Sequence, residues 1–332
     1  MSHLAVIGAG SWGTALAAVL APRYKSVRLW IREPDLAARM AATRINDLYL
    51  DGIALPANVE PHTSLEPALA GASTVLGVMP SRYARTLYSG MLPFLAPSMR
   101  FVSATKGLEQ DTLLRVSEVI QAVIRPKFEP RVAVLSGPTF AKEIARGEPA
   151  AVVISSGDRA LAAEIQGELH GPSFRLYTNS DPIGVEIGAA LKNVIAIAAG
   201  VCQGMGLGNN TSAALITRGL AEITRLAVAM GGQPKTLAGL AGLGDLVLTC
   251  TGGLSRNRMV GIELAHGRSI GEIVSSMIMV AEGIDTTSAA VALGRRYSVD
   301  LPIAAQMNRI LNHGLDPRAA LRELMDRSPK EE

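Results

Sequence analysis

Short apolar runs alternate with amphipathic stretches through the first half of the chain. Residues 4–7, 27–31, 75–78, 101–104, 132–135 and 151–154 read as buried strands. Between them, residues 14–20 are rich in Ala and Leu, and residues 36–44 have helical spacing. Thr63-Ser64-Leu65-Glu66 has the form of a capping box that opens a short helix. Strands alternating with helices imply a mostly parallel sheet with both faces covered. The pattern changes near residues 178–182, beyond which helical spacing dominates and glycine turns separate the segments. Residues 188–197, 212–230, 283–297 and 303–312 read as helices, and Gly231-Gly232 with Pro234 ends the second of these. The expected architecture is an α/β domain at residues 1–180 followed by an all-α domain at 181–332. The tail at 328–332 reads as a frayed end.

Hydrophobic residues make up 48% of the 332 and charged residues 18%, which excludes a disordered chain. Aromatics are only 4%, so the core must be built from Ala, Val, Ile and Leu. The 32 basic and 29 acidic side chains nearly cancel, and no Lys/Arg run is present, so a nucleic-acid surface is not expected. Cys202 and Cys250 have no metal-like spacing and read as reduced thiols. The apolar stretch at 4–21 lacks a basic leader and is broken by Gly8, Gly10, Ser11 and Gly13, unlike a signal peptide. No uninterrupted apolar run reaches the ~18 residues of a membrane span. A soluble, cytoplasmic protein is the expectation.

Gly8-Ala9-Gly10-Ser11-Trp12-Gly13 matches G-x-G-x-x-G between an apolar strand and a helix, the context that gives this pattern meaning. Gly8 would make the tight turn, Gly10 would let backbone approach a diphosphate, and Gly13 would let the helix pack on the strand. The diphosphate would sit on free N–H groups at the positive helix end. About twenty residues further on, an acid favours NAD and an arginine favours the 2′-phosphate of NADP. Arg32 and Glu33 stand there side by side, so the choice of cofactor stays open.

Four further segments carry polar side chains in apolar settings. Lys106 follows the strand at 101–104, where ligands of open α/β sheets bind, although a surface-loop lysine reads equally well. Gly137, Pro138 and Thr139 follow the next strand, and taken alone they are a plain helix start. Lys192 and Asn193 interrupt an otherwise apolar helix. A lysine buried there would have a lowered pKa and could exchange a proton at neutral pH. Asp245 follows a glycine turn, and Ser255-Arg256-Asn257-Arg258 opens a helix in the manner of an oxyanion or phosphate site. Arg258 alone reads as a solvated arginine.

Taken together, the segments GAGSWGTALA, SATKGLE, SGPTFAKE, ALKNVIAIAAG, GLGDLVLTCT, LSRNR and VAEG resemble, in order and over nearly the whole chain, the bacterial-type NAD(P)-dependent glycerol-3-phosphate dehydrogenase family. The resemblance implies a Rossmann domain joined to a helical domain, with the active site in the cleft. It implies NAD or NADP as cofactor, dihydroxyacetone phosphate and glycerol 3-phosphate as substrates, and a role in glycerophospholipid synthesis. It assigns Ser11, Trp12, Arg32, Ala141, Val280 and Glu282 to the dinucleotide, and Lys106 to both cofactor and substrate. Gly137 and Thr139 would line the substrate site, and Lys192 would be the catalytic acid/base supported by Asp245. Ser255, Arg256 and Asn257 would hold the phosphate, with Arg256 also reaching the cofactor. Three places depart from the family pattern: Gly252-Gly253, Val78-Met79-Pro80-Ser81-Arg82, and Glu33 in place of a basic residue. The rival readings are a related dehydrogenase of a hydroxy acid or sugar acid and a non-catalytic dinucleotide-sensing regulator. A homodimer through the helical domain is a further expectation.

Overall fold

Each apolar run of the first half becomes a strand because both of its faces are buried. The computed structural model describes residues 3–328. The strands are β1 (His3–Ile7), β2 (Ser26–Trp30), β3 (Val59–His62), β4 (Ala72–Gly77), β5 (Arg100–Ser103), β6 (Arg131–Ser136), β7 (Ala150–Ser155) and β8 (Phe174–Asn179). They form one eight-stranded sheet in the order β3-β2-β1-β4-β5-β6-β7-β8. Neighbours are parallel except β6 and β7. In β1, Leu4 and Val6 join the core on one side of the sheet, while Ala5 and Ile7 join the core on the other. A strand clothed by helices on both faces needs apolar residues at every position, and this makes it visible as a continuous run.

The expected strands fall on observed ones. β3 and β8 lie outside the expected set, and both are edge strands. β3 contains Pro61, and β8 alternates buried and exposed positions, so neither shows a continuous apolar run. The expected capping box is also absent. The helix Leu65–Leu69 has Ser64 rather than Thr63 at its N-cap, and no side chain bonds there. The frayed-tail expectation lies, from residue 329 on, outside the described residues.

After Asn179 every described regular element is helical. The helix Pro182–Gly204 runs through the middle of this half, with Pro182 in its first turn and Asp181 at its N-cap. Asp181 accepts from Gly184 N (2.9 Å) and Gln233 N (2.7 Å). Among the described residues this is the one helix long and apolar enough to cross a membrane, and its apolar stretch is buried inside the protein. It packs against the helices Asn209–Ala229, Asp245–Thr251, Arg256–Ala265 and Glu282–Arg296. The crossing with Arg256–Ala265 is glycine against glycine. A Cβ on Gly200 would collide with Arg258 O, and one on Gly261 with Ile197 O. That close approach brings Asn257, near the start of Arg256–Ala265, beside Asn193.

Candidate active site between the sheet and the helices

A cleft of about 1020 Å³ lies between the C-terminal ends of the strands and the helical half. Its floor on the sheet side is the glycine loop after β1. Gly8 has φ +117, and a Cβ there would strike Val78 O. A Cβ on Gly13 would strike Gly8 O as the helix Ser11–Leu20 folds back on the strand. Gly10 is different: a Cβ would meet nothing within 4 Å, so its bare face is turned to open space. Gly8 and Gly13 thus make the turn and the close helix–strand packing, and Gly10 leaves the backbone open to the cleft. Trp12 borders the same space with its indole Nε1 buried and unpartnered. Ser11 Oγ donates to Tyr49 O (2.6 Å) and lies 2.9 Å from Met279 Sδ. An open glycine face at a helix N-terminus and an orphaned donor beside it fit a dinucleotide diphosphate.

At the far end of the cleft, two lysines share one carboxylate. Lys106 Nζ donates to Gly137 O (2.9 Å), Thr139 Oγ1 (2.9 Å) and Asp245 Oδ2 (2.8 Å). An ammonium has three N–H donors, and here all three are engaged. Lys192 Nζ donates to Asp245 Oδ1 and to Thr249 Oγ1 (2.9 Å). Thr249 directs its own hydrogen to Asp245 O (2.6 Å), which leaves its lone pair for Lys192. Lys192 therefore keeps one donor uncommitted among the described residues, and it lines the cleft. It is 5% exposed and Asp245 1%. Desolvation pulls the Lys192 pKa down to about 7; the neighbouring Lys106 adds to that, and Asp245 opposes it.

The remaining expected residues divide by what they touch. Thr139, Ala141, Ser255, Arg256, Asn257, Val280 and Glu282 line the cleft, whereas Gly137 does not and acts through its carbonyl on Lys106. Gly137 has φ +143, and a Cβ would press on Val152 Cα of β7. Ser255 caps the helix Arg256–Ala265 by accepting from Arg258 N (3.3 Å). The Arg256 guanidinium opens to the cleft and donates to Val280 O (2.6 Å). The Asn257 amide is consumed between helices, donating to Asn193 Oδ1 (3.0 Å) and accepting from Gly283 N (3.0 Å). Glu282 is half-buried and accepts from Ser81 N (3.2 Å) and Ser81 Oγ (2.8 Å). Burial pushes its pKa up to about 7. Arg32 stands exposed beyond the end of β2, at the edge of the cleft, paired with Glu33 (2.7 Å).

Sequence reading missed Thr249, Ser81, Phe140 and Met279. Thr249 carried a signal: it lies one helical turn after Asp245, on the same face. The departures from the family pattern also find reasons. A Cβ on Gly252 would run into the Phe140 ring, so glycine here admits a side chain from the opposite wall. In the 78–82 segment, Ser81 reaches Glu282, and Arg82 lies 3.5 Å from Asp285.

This layout is matched closely among known proteins. The glycerol-3-phosphate dehydrogenase (NAD(P)+) of Koribacter versatilis is 56% identical over 329 residues, covering 98% of this chain and 98% of its own. That of Geobacter metallireducens is 51% identical over 329 residues, covering 99% and 98%. The crystal structure of glycerol-3-phosphate dehydrogenase from Coxiella burnetii superposes with a TM-score of 0.94 at 40% identity, over 98% of this chain and 99% of that one. The family patterns for the NAD-dependent glycerol-3-phosphate dehydrogenase N-terminus and C-terminus match residues 3–162 and 181–322. With the glycine loop and the paired lysines falling inside those two spans, the chain belongs to the NAD-dependent glycerol-3-phosphate dehydrogenase family.

Proposed function

We propose that this cleft reduces dihydroxyacetone phosphate to sn-glycerol 3-phosphate with NADH or NADPH, reversibly, and so supplies glycerophospholipid synthesis. The observation that carries the reading is the inequality of the two lysines on Asp245: Lys106 has no donor left, and Lys192 has one. When bound, the nicotinamide supplies the hydride. As the ketone oxygen gains negative charge, the Lys192 ammonium stabilises it and hands over its free proton, leaving a hydroxyl and a neutral amine. In the oxidative direction neutral Lys192 takes the hydroxyl proton. Lys106, held by Gly137, Thr139 and Asp245, is a fixed cation beside the reacting group. Asp245 and Thr249 orient Lys192.

Arg256 and the first-turn N–H groups of Arg256–Ala265 would hold the phosphate, with Ser255 and Asn257 fixing that turn. Phosphate held at a distance places the reacting carbon near Lys192. Gly8, Gly10, Ser11, Trp12, Gly13, Arg32, Ala141, Val280 and Glu282 would hold the dinucleotide. A cytoplasmic setting and a homodimer through the helical half belong to the same reading.

The test is a substrate profile. The wild-type protein should oxidise NADH or NADPH with dihydroxyacetone phosphate and poorly with dihydroxyacetone. Arg256→Ala should lose most of that discrimination, about 10²-fold or more in kcat/KM for the phosphorylated ketone. Oxidation driven by a 2-keto acid but not by dihydroxyacetone phosphate would overturn the reading.

A further inference from the structure

We propose that Glu33 makes this site select NAD(H) over NADP(H). The inference rests on the dinucleotide reading of the cleft and adds to it which form of the cofactor is bound.

β2 is the parallel neighbour of β1, with Ile7 opposite Trp30 in register. Arg32 and Glu33 follow Trp30 and therefore emerge at the same end of the sheet as Gly8 and Gly10. In folds of this kind the adenosine ribose lies over that strand end, and its 2′ position is read there. Both residues line the cleft, together with Trp30, Tyr49, Asp51 and Arg82.

Arg32 looks at first like a 2′-phosphate receptor, but its charge is already answered. Its Nε and Nη2 both donate to Glu33 Oε1, at 3.1 and 2.7 Å. Tyr49 OH donates to the same oxygen (3.3 Å), so the carboxylate is held from two directions. The Glu33 side chain is 32% exposed against 65% for Arg32, which makes the acid the more fixed of the two. The other arginine at this end, Arg82, lies 3.5 Å from Asp285, and Asp51 adds a further carboxylate. Two cations thus stand among three anions.

A carboxylate accepts hydrogen bonds and donates none. The 2′-hydroxyl of NAD can donate to Glu33. A 2′-phosphate offers only further negative charge to it, and it would have to take Arg32 away from Glu33, leaving that carboxylate facing the phosphate. The departure of this chain from a basic residue at position 33 is therefore a change of specificity.

Calorimetric titration of the full-length protein tests this without turnover, using NAD+, NADP+, adenosine 5′-diphosphate and adenosine 2′,5′-diphosphate. Wild type should bind NAD+ at least about tenfold more tightly than NADP+, and the two adenosine compounds should follow the same order. Glu33→Gln should bring the two dinucleotides within about threefold, mainly by tightening NADP+ as Arg32 is released. Adding Arg32→Ala to Glu33→Gln should remove that gain. NADP+ binding as tightly as NAD+ in the wild type, or Glu33→Gln failing to tighten NADP+, would overturn the proposal. If neither dinucleotide binds, the cofactor reading falls with it. If NAD+ is selected but dihydroxyacetone phosphate is not reduced, only the substrate reading falls.

Discussion

Lys106 and Lys192 have the same side chain, touch the same carboxylate and differ by one hydrogen bond. In the proposed reaction that difference separates a fixed cation from a proton donor. Lys106 reaches partners 31, 33 and 139 positions away, which no local pattern can announce. Lys192 was legible because an amine in an apolar helix is conspicuous, but its orientation by Thr249 was not. If the uncommitted donor of Lys192 supplies the proton, Lys192→Ala should lower kcat by about 10²–10⁴-fold. Dinucleotide affinity, measured by calorimetry, should stay close to wild type. Lys192→Met, which fills more of the buried space, separates lost chemistry from lost packing. Retention of turnover in both variants would remove Lys192 from its role.

At the scale of elements, the site depends on how closely two helices approach. Pro182–Gly204 carries Lys192, and Arg256–Ala265 carries Arg256, the proposed phosphate anchor. Gly200 and Gly261 face each other with backbone where side chains would be. Gly261→Ala would push a methyl into the Ile197 carbonyl, and overpacking of this sort costs about 1–3 kcal/mol. The thermal midpoint should fall, and KM for dihydroxyacetone phosphate should rise more than KM for the dinucleotide, because the displaced helix holds the phosphate end. An unchanged midpoint and unchanged KM would mean that the crossing relaxes freely. Sequence reading found the first helix as an apolar run and the second from its polar start. It could not find the crossing, because glycines inside a helix read only as weak points until a neighbour's backbone is known.

Across the whole molecule, the sheet half and the helical half are joined by polar contacts, among them one buried and one half-buried at the cleft. Arg115 Nη1 meets Glu186 Oε2 at 2.6 Å, and Ser117 donates to both oxygens of the same carboxylate. Near the cofactor end, Ser81 and Glu282 make the second joint. Removing one partner of such a buried pair leaves the other charged and unpaired, so the two halves hold their relation tightly. The inner strands were legible as apolar runs, but the edge strands β3 and β8 and these joints were not. Their residues are polar for reasons that lie in the other half of the chain.

The central claim is that one desolvated amine manages the proton in both directions, and paired pH profiles of kcat/KM, which report the free enzyme, test it most directly. A Lys192 pKa near 7 means that the ammonium is lost as pH rises through that value. Reduction of dihydroxyacetone phosphate should therefore fall through about pH 7, while oxidation of glycerol 3-phosphate should rise through the same range. Glu282 is also pushed up to about 7, so Glu282→Gln must keep both limbs. Profiles flat from about pH 6 to 9, or both moving the same way, would contradict the account.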